Sequence, residues 1–139
     1  MEHVFANGTY RGEGRWIDQK TEGRYTAQYN IIGGQDGSKV HEVERIFLKP
    51  DGAVAYEERT TVTFEPKARE GILVTIQSPK GAVAGPGYAL DRECHYDIDV
   101  TPDNHLEFTF HAEGVNITGL GSATNKGNRT YWKESLERL

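Results

Sequence analysis

Four charged residues flank one turn of this chain, and their spacing could place charge inside a folded core. Glu44 and Arg45 precede the segment Pro50-Asp51-Gly52, and Glu58 and Arg59 follow it. Proline presets the first turn angle and glycine accepts a positive φ, so this segment predicts a β-hairpin. A three-residue loop would pair Glu44 with Glu58 on one face of the hairpin. The two arginines would then lie on the other face.

The apolar residues nearest the turn indicate which face of this hairpin points inward. On the face shared with the two glutamates they are Ile46, Leu48, Val54 and Tyr56. Two facing interior carboxylates raise the pKa of one of them unless a cation, a shared proton or water compensates, so the pair could bind a ligand or act as acid and base. Alternatively, a β-bulge reverses the register and turns the arginines inward. The candidates for the polar contact with a ligand are therefore Glu44, Arg45, Glu58 and Arg59.

Aromatic residues supply the second part of the candidate site. In the run 23–32, Tyr25, Ala27, Tyr29 and Ile31 alternate with other residues, which is typical of a strand with one face in the core. Two tyrosines separated by a small residue give aromatic walls and hydroxyl groups that could orient a ligand. The alternative is that they only fill the core. The predicted aromatic lining of the ligand site is Tyr25, Tyr29, Tyr56, Phe108 and Phe110.

A second hairpin is predicted around Thr101-Pro102-Asp103-Asn104, and its two faces separate cleanly. The inward face is predicted to hold Cys94, Tyr96, Ile98, Val100, Leu106, Phe108 and Phe110. A five-residue loop would set His95 opposite His111 on the outer face, where acidic neighbours could complete a zinc site. A solvated polar face is the commoner arrangement, so no metal site is predicted. Cys94 is predicted to be an apolar filler, because the pattern gives it no neighbouring base.

The elements that must position these residues are short strands. Runs rich in β-branched and aromatic residues, bounded by turn residues, cover 8–17, 23–32, 39–48, 53–64, 70–78, 82–90, 92–100, 105–112, 114–120 and 128–136. Only the tail from Lys133 to Leu139 could form a short helical turn. We therefore predict an all-β fold with little helix. One domain over residues 1–139 forms a single antiparallel up-and-down β-barrel of about ten strands.

Composition limits the classes of partner. The 139 residues carry a net charge of −5 with acidic and basic residues interspersed, which argues against a nucleic-acid-binding face. The N-terminus lacks the pattern of a signal peptide, and no apolar run reaches the length of a membrane span. A single cysteine cannot form an internal disulfide, so a cytoplasmic location is expected. An edge strand or the end near Trp132 could pair in a homodimer.

The first predicted strand carries a family resemblance. The segment Gly8–Gly14 resembles the first-strand signature of the nitrobindin family and, more loosely, the Gly-x-Trp start of the calycins, which include lipocalins and fatty-acid-binding proteins. The resemblance implies a calycin-like barrel in which Tyr10, Trp16 and Arg129 meet at one end as a structural closure. Nitrobindins bind haem through a histidine near the C-terminus. The last histidine here is His111, so no cofactor is expected and haem is disfavoured.

These patterns predict a protein that holds a small hydrophobic or amphipathic molecule inside a barrel, as a carrier or sensor. A second hypothesis is a small barrel enzyme of the isomerase, cyclase or dehydratase type. It would use interior carboxylates, His41 or tyrosines. The third is a haem-binding, nitrobindin-like protein.

Overall fold

A computed structural model describes residues 1–34 and 36–139 of the chain. Its strands are β1 (Gly8–Ile17), β2 (Glu22–Gly33), β3 (Lys39–Leu48), β4 (Val54–Pro66), β5 (Gly71–Ser78), β6 (Gly81–Leu90), β7 (Glu93–Thr101), β8 (Asn104–Glu113), β9 (Asn116–Asn125) and β10 (Asn128–Arg138). Each strand pairs antiparallel with the next, and β10 pairs with β1 to close the barrel. The predicted all-β barrel of ten strands is confirmed.

The last two strands are longer than the sequence predicted. β9 continues to Asn125, and the tail expected to be helical is the second half of β10. The helical prediction was wrong because Trp132, Glu134 and Leu136 alternate on the inner face, where Leu136 is buried opposite Gly12. Within residues 1–34 and 36–139, no helix is long and apolar enough to cross a membrane.

The two ends of the barrel differ in how they are filled. At one end, Phe5 of the N-terminal segment is fully buried against His41, Phe64 and Phe110. At the other end, the inward-facing Tyr56 is 57% exposed. The pairing of β4 with β5 begins only at Thr61, so in the described chain residues 54–60 pair with β3 alone. The barrel therefore has a closed end and an open mouth.

A β-bulge sits at the base of the first hairpin. Leu48 pairs with Val54, but Phe47 already pairs with Tyr56, so one extra residue is inserted in β4. From there on, Arg45 lies opposite Glu58 instead of Glu57. The predicted register is wrong beyond the turn, because a single inserted residue exchanges the two faces of one strand relative to the other.

The second hairpin has a shorter loop than predicted, and it keeps its predicted faces except at Val100. That residue is 41% exposed, at a register shift between Asp99 and Thr101. Thr101 pairs with Asn104, and His95 lies opposite Thr109, whereas His111 lies opposite Glu93. The prediction that the two histidines face each other is therefore wrong. Cys94, predicted to be a filler of the inner face, is buried there, and burial raises the pKa of its thiol to about 12.

Candidate functional site

A buried carboxylate forms the centre of the candidate site. Glu134 lies on the inner face of β10 and is 1% exposed. The Tyr25 hydroxyl donates to its Oε1 at 2.8 Å, and the Tyr29 hydroxyl donates to its Oε2. Arg45 donates from Nε to Oε1 at 3.2 Å. We call these four residues the Glu134 cluster, and both carboxylate oxygens in it have partners.

Charge in the Glu134 cluster is balanced. Burial alone would lower the pKa of Arg45, but Tyr29 and Glu134 outweigh it and keep that pKa well above its usual range. Burial raises the pKa of Tyr29 strongly and that of Tyr25 as well, so both hydroxyls stay neutral donors near pH 7. The guanidinium also lies 5.5 Å from the centre of the Tyr29 ring. The cluster is therefore one ion pair held between two neutral phenols.

Two glycines make room for this cluster. A Cβ atom on Gly14 would lie 2.0 Å from the ring of Tyr25, and one on Gly119 would lie 3.0 Å from the Glu134 Cγ. Real Cβ atoms essentially never come as close as 2.0 Å to another atom, so no larger residue fits at Gly14 without moving the tyrosine. Gly14 of the first strand therefore leaves room for the Tyr25 ring between the barrel wall and the Glu134 carboxylate.

The barrel interior contains two cavities beside the cluster. The mouth cavity has a volume of about 430 Å³ and is lined by Trp16, Asp18, Tyr25, Arg45, Phe47, Tyr56, Glu58, Ala123, Thr130 and Trp132. The inner cavity has a volume of about 160 Å³, and its wall includes Val43, Val62, Phe64, Tyr96, Phe108 and Phe110. Both linings contain Arg45, Glu58 and Trp132, so the cavities adjoin at these residues.

Glu58 links the cluster to the mouth. Its carboxylate lies 3.8 Å from the Arg45 guanidinium, and its side chain is 46% exposed. Because Glu134 already neutralises Arg45, Glu58 and Asp18 leave the mouth cavity with an excess of negative charge. An anionic ligand would meet two carboxylates and an arginine that is already paired. A neutral or cationic ligand suits this arrangement better.

His41 lies at the far side of the inner cavity. The imidazole is 1% exposed, and no described residue provides a hydrogen-bond partner for either ring nitrogen. Burial, with the positive charges of Lys39 and Arg45, lowers its pKa to about 3. The ring is therefore neutral at physiological pH and has one donor and one acceptor nitrogen unused.

Most of the sequence-predicted ligand residues lie at these cavities. Tyr25 and Tyr56 line the mouth cavity, and Tyr29, Phe108 and Phe110 line the inner one. Arg45 and Glu58 line both. Their role in binding a ligand stays a prediction.

The prediction that Glu44 and Arg59 could contact the ligand is wrong. They form a 3.0 Å ion pair with each other, in which the Arg59 side chain is 75% exposed. The bulge brought one residue of each charge inward, where the sequence predicted either both glutamates or both arginines. The two residues left on the outer face cannot contact a ligand inside the barrel.

The predicted structural closure is also wrong. Tyr10 and Trp16 are six residues apart on β1, which is roughly 20 Å along a strand, so they cannot meet at one end. Tyr10 is buried opposite Tyr29, and Trp16 lies opposite Trp132 at the mouth. Arg129 is exposed and donates to the Thr124 hydroxyl at 3.2 Å.

Sequence reasoning missed Glu134. The signal was available: on β10 the acid stands between Trp132 and Leu136 at alternate positions, the pattern of an inward face. Its partners gave no such signal, since Tyr25 and Arg45 lie 109 and 89 residues away along the chain. Only barrel closure brings them together.

A second polar cluster lies on the outside of the barrel. His95 Nε2 lies 2.8 Å from Asp97 Oδ2, and His105 Nε2 lies 3.2 Å from Asp97 Oδ1. Ligand atoms of His95, Asp97 and Glu107 all fall within 4.8 Å of one another. Zinc accepts such donors. Hydrogen bonds among the same groups are enough to hold the arrangement on an exposed sheet face.

Comparisons with known proteins support the fold. No protein-family model matches this chain, and no curated protein matches it. Among solved structures, the chain is similar to the crystal structure of Rv2717c from M. tuberculosis, with a TM-score of 0.68 and 11% sequence identity. The match covers 96% of this chain and 92% of that chain. At this identity the likeness shows the fold alone.

Proposed function

We propose that this protein is a calycin-like binding protein that holds one small amphipathic molecule in the mouth and inner cavities. The observation that carries the proposal is the pair of adjoining, aromatic-lined cavities meeting at Arg45 and Glu58. Ligand sites have this composition: mostly apolar walls with a few polar groups that fix orientation. Their volumes of about 430 and 160 Å³ suit a ligand of one to three rings.

The state of the polar groups favours binding over catalysis. A general acid or base works best with a pKa near the operating pH. Burial instead raises the pKa values of Tyr25 and Tyr29 far above neutrality, and donors occupy both oxygens of Glu134. These groups are suited to fixing Arg45 in place. The enzyme hypothesis would have to rely on Glu58, which is half exposed to solvent.

The residues present do not fit haem. In the described chain, the one histidine that lines either interior cavity is His41. The inner cavity beside it has about the volume that accommodates a single benzene ring, roughly 150 Å³. A tetrapyrrole whose iron was bound by His41 would have to fit in this inner cavity, and it is several times larger. The ligand that we propose is therefore a small organic molecule, and haem is not part of the proposal.

Binding of the neutral fluorophore N-phenyl-1-naphthylamine tests the proposal. Its emission should rise on mixing with the native protein, because aromatic side chains form much of the wall of the mouth cavity. Ala123 lines that cavity from β9, so Ala123→Trp should fill the space and abolish the rise. Thr118 lies on the outer face of the same strand and lines neither cavity, so Thr118→Trp is the matched control and should bind as the wild type does. Folding of each variant is checked by circular dichroism.

Two results would overturn the proposed function. One is the absence of any emission gain with the wild-type protein. The other is unchanged binding by a folded Ala123→Trp protein. Native mass spectrometry of freshly purified protein would in addition weigh any retained natural ligand.

A further inference from the structure

His41 is an unpaired polar group in an otherwise apolar surrounding. Its ring centre lies 4.3 Å from that of Phe5, 4.4 Å from that of Phe64 and 5.8 Å from that of Phe110. No described residue donates to or accepts from its nitrogens. Buried polar groups are nearly always hydrogen-bonded, so each exception requires a physical explanation.

The neighbouring polar side chains are engaged elsewhere. The ring of Tyr29, on β2, packs against His41, but the Tyr29 hydroxyl donates to the Glu134 carboxylate. The Lys39 ammonium, two residues along β3, contacts the Glu2 carboxylate and donates to Asn7 Oδ1 at 2.7 Å. Arg45 is held by Glu134. None of these groups serves the imidazole, and His41 is among the residues that line the inner cavity.

The size and wall of the inner cavity define what fits there. Its volume of about 160 Å³ is close to that of a site for one six-membered ring. Phe64, Phe108 and Phe110 offer ring faces and edges to such a group. The imidazole is neutral, so it offers a hydrogen bond but no charge. An anion would have to be buried without a counter-charge, because Glu134 already neutralises Arg45.

We propose that the inner cavity is the seat of a single six-membered ring bearing a neutral hydroxyl group, such as a phenol, and that a His41 ring nitrogen hydrogen-bonds this hydroxyl. The inference rests on the proposed binding function, since it specifies the deep end of the same ligand. The remainder of the ligand would extend past Arg45 and Glu58 into the mouth cavity. A hydroxyl matches the neutral imidazole because each group can both donate and accept a hydrogen bond.

Phenol and toluene are the probes, because they have the same shape and differ in the hydroxyl. Dissociation constants of both are measured by calorimetry or NMR titration for the wild type, His41→Phe and His111→Phe. His111 is exposed on the outer face of β8 and serves as the control. The affinity ratio of phenol to toluene should fall about tenfold in His41→Phe and stay unchanged in His111→Phe. Benzoate should bind the wild type more weakly than phenol does.

A second measurement needs no variant. In the ¹⁵N spectrum of the wild-type histidine rings, phenol should move one His41 nitrogen toward the position of a hydrogen-bonded nitrogen, and toluene should not. This measurement tests the proposal even if the His41→Phe protein does not fold.

The outcomes separate the two proposals. The inference is overturned if the phenol-to-toluene ratio is unchanged in His41→Phe, or if phenol leaves the ¹⁵N signals of His41 unchanged. In that case uptake of the neutral fluorophore still supports the binding function. If the wild type takes up neither the fluorophore nor any of the small rings, the proposed function fails together with the inference.

Discussion

Two buried polar regions lie a few residues apart in this barrel, and they differ in how completely they are paired. The Glu134 cluster satisfies its carboxylate with three donors. His41 is equally buried, but no described residue pairs with its ring. A fully paired network rigidifies the core and positions Arg45 at the mouth. An unpaired buried group lowers the stability of the ligand-free protein. A ligand that hydrogen-bonds this group removes that cost, so it binds more tightly. The contrast separates a structural polar site from a receptive one.

Removing the carboxylate from the Glu134 cluster should have the largest effect. Glu134→Leu leaves the Arg45 charge buried and two phenols without their acceptor, so we expect a loss of about 3–5 kcal/mol in the free energy of unfolding. Urea denaturation measures it, and the exposed Glu137→Gln on the same strand is the control.

A double variant sharpens this result. If the cost comes from an unpaired charge, Glu134→Leu combined with Arg45→Met should be more stable than Glu134→Leu alone. A double variant that is as unstable as the sum of two single losses would show that the cluster acts through packing instead.

The pH dependence of His41 should give the next largest effect. Its pKa is about 3 in the folded state and about 6.5 when unfolded, so between these values the unfolded chain binds more protons. Stability therefore falls as the pH drops below about 6.5. At pH 5 this one group should cost about 2 kcal/mol relative to pH 7.

His41→Phe isolates this contribution from those of the carboxylates. The variant should lose about 2 kcal/mol less than the wild type between pH 7 and pH 5, and at pH 7 it should be at least as stable. Equal pH profiles for the two proteins would mean that His41 is paired or hydrated in solution.

Glu58 should affect ligand choice more than stability. Its contact with Arg45 is long and half exposed, so Glu58→Gln should change the melting temperature little. Removing this charge should raise the affinity for the anionic fluorophore 1-anilinonaphthalene-8-sulfonate by roughly two- to fivefold. The neutral N-phenyl-1-naphthylamine should bind as before. Equal changes for both fluorophores would contradict the charge argument.

The smallest effect is expected at Arg129. The family resemblance implied that this residue helps to close one end of the barrel. The structure places it on the surface, with side-chain contacts to Thr124 and Tyr131. Arg129→Ala should therefore leave the melting temperature of thermal unfolding unchanged. A marked decrease would restore the closure role.

The sequence by itself determined the strands and most of their faces. Alternation along β2 placed Tyr25 and Tyr29 inward, and alternation along β8 placed Phe108 and Phe110 inward, because side chains of a strand point to opposite faces in turn. Turn residues located the hairpins for the same local reason. Their conformational preferences act within a few residues of the chain.

Only the tertiary structure decided the site. One inserted residue in β4 brought Arg45 and Glu58 to the same face, and nothing in the local pattern of apolar residues specified that bulge. Glu134 met Tyr25 and Arg45 because the barrel closes β10 against β1, next to β2 and β3. Pairing between residues about a hundred positions apart depends on that closure, and a pattern read over a few residues does not contain it.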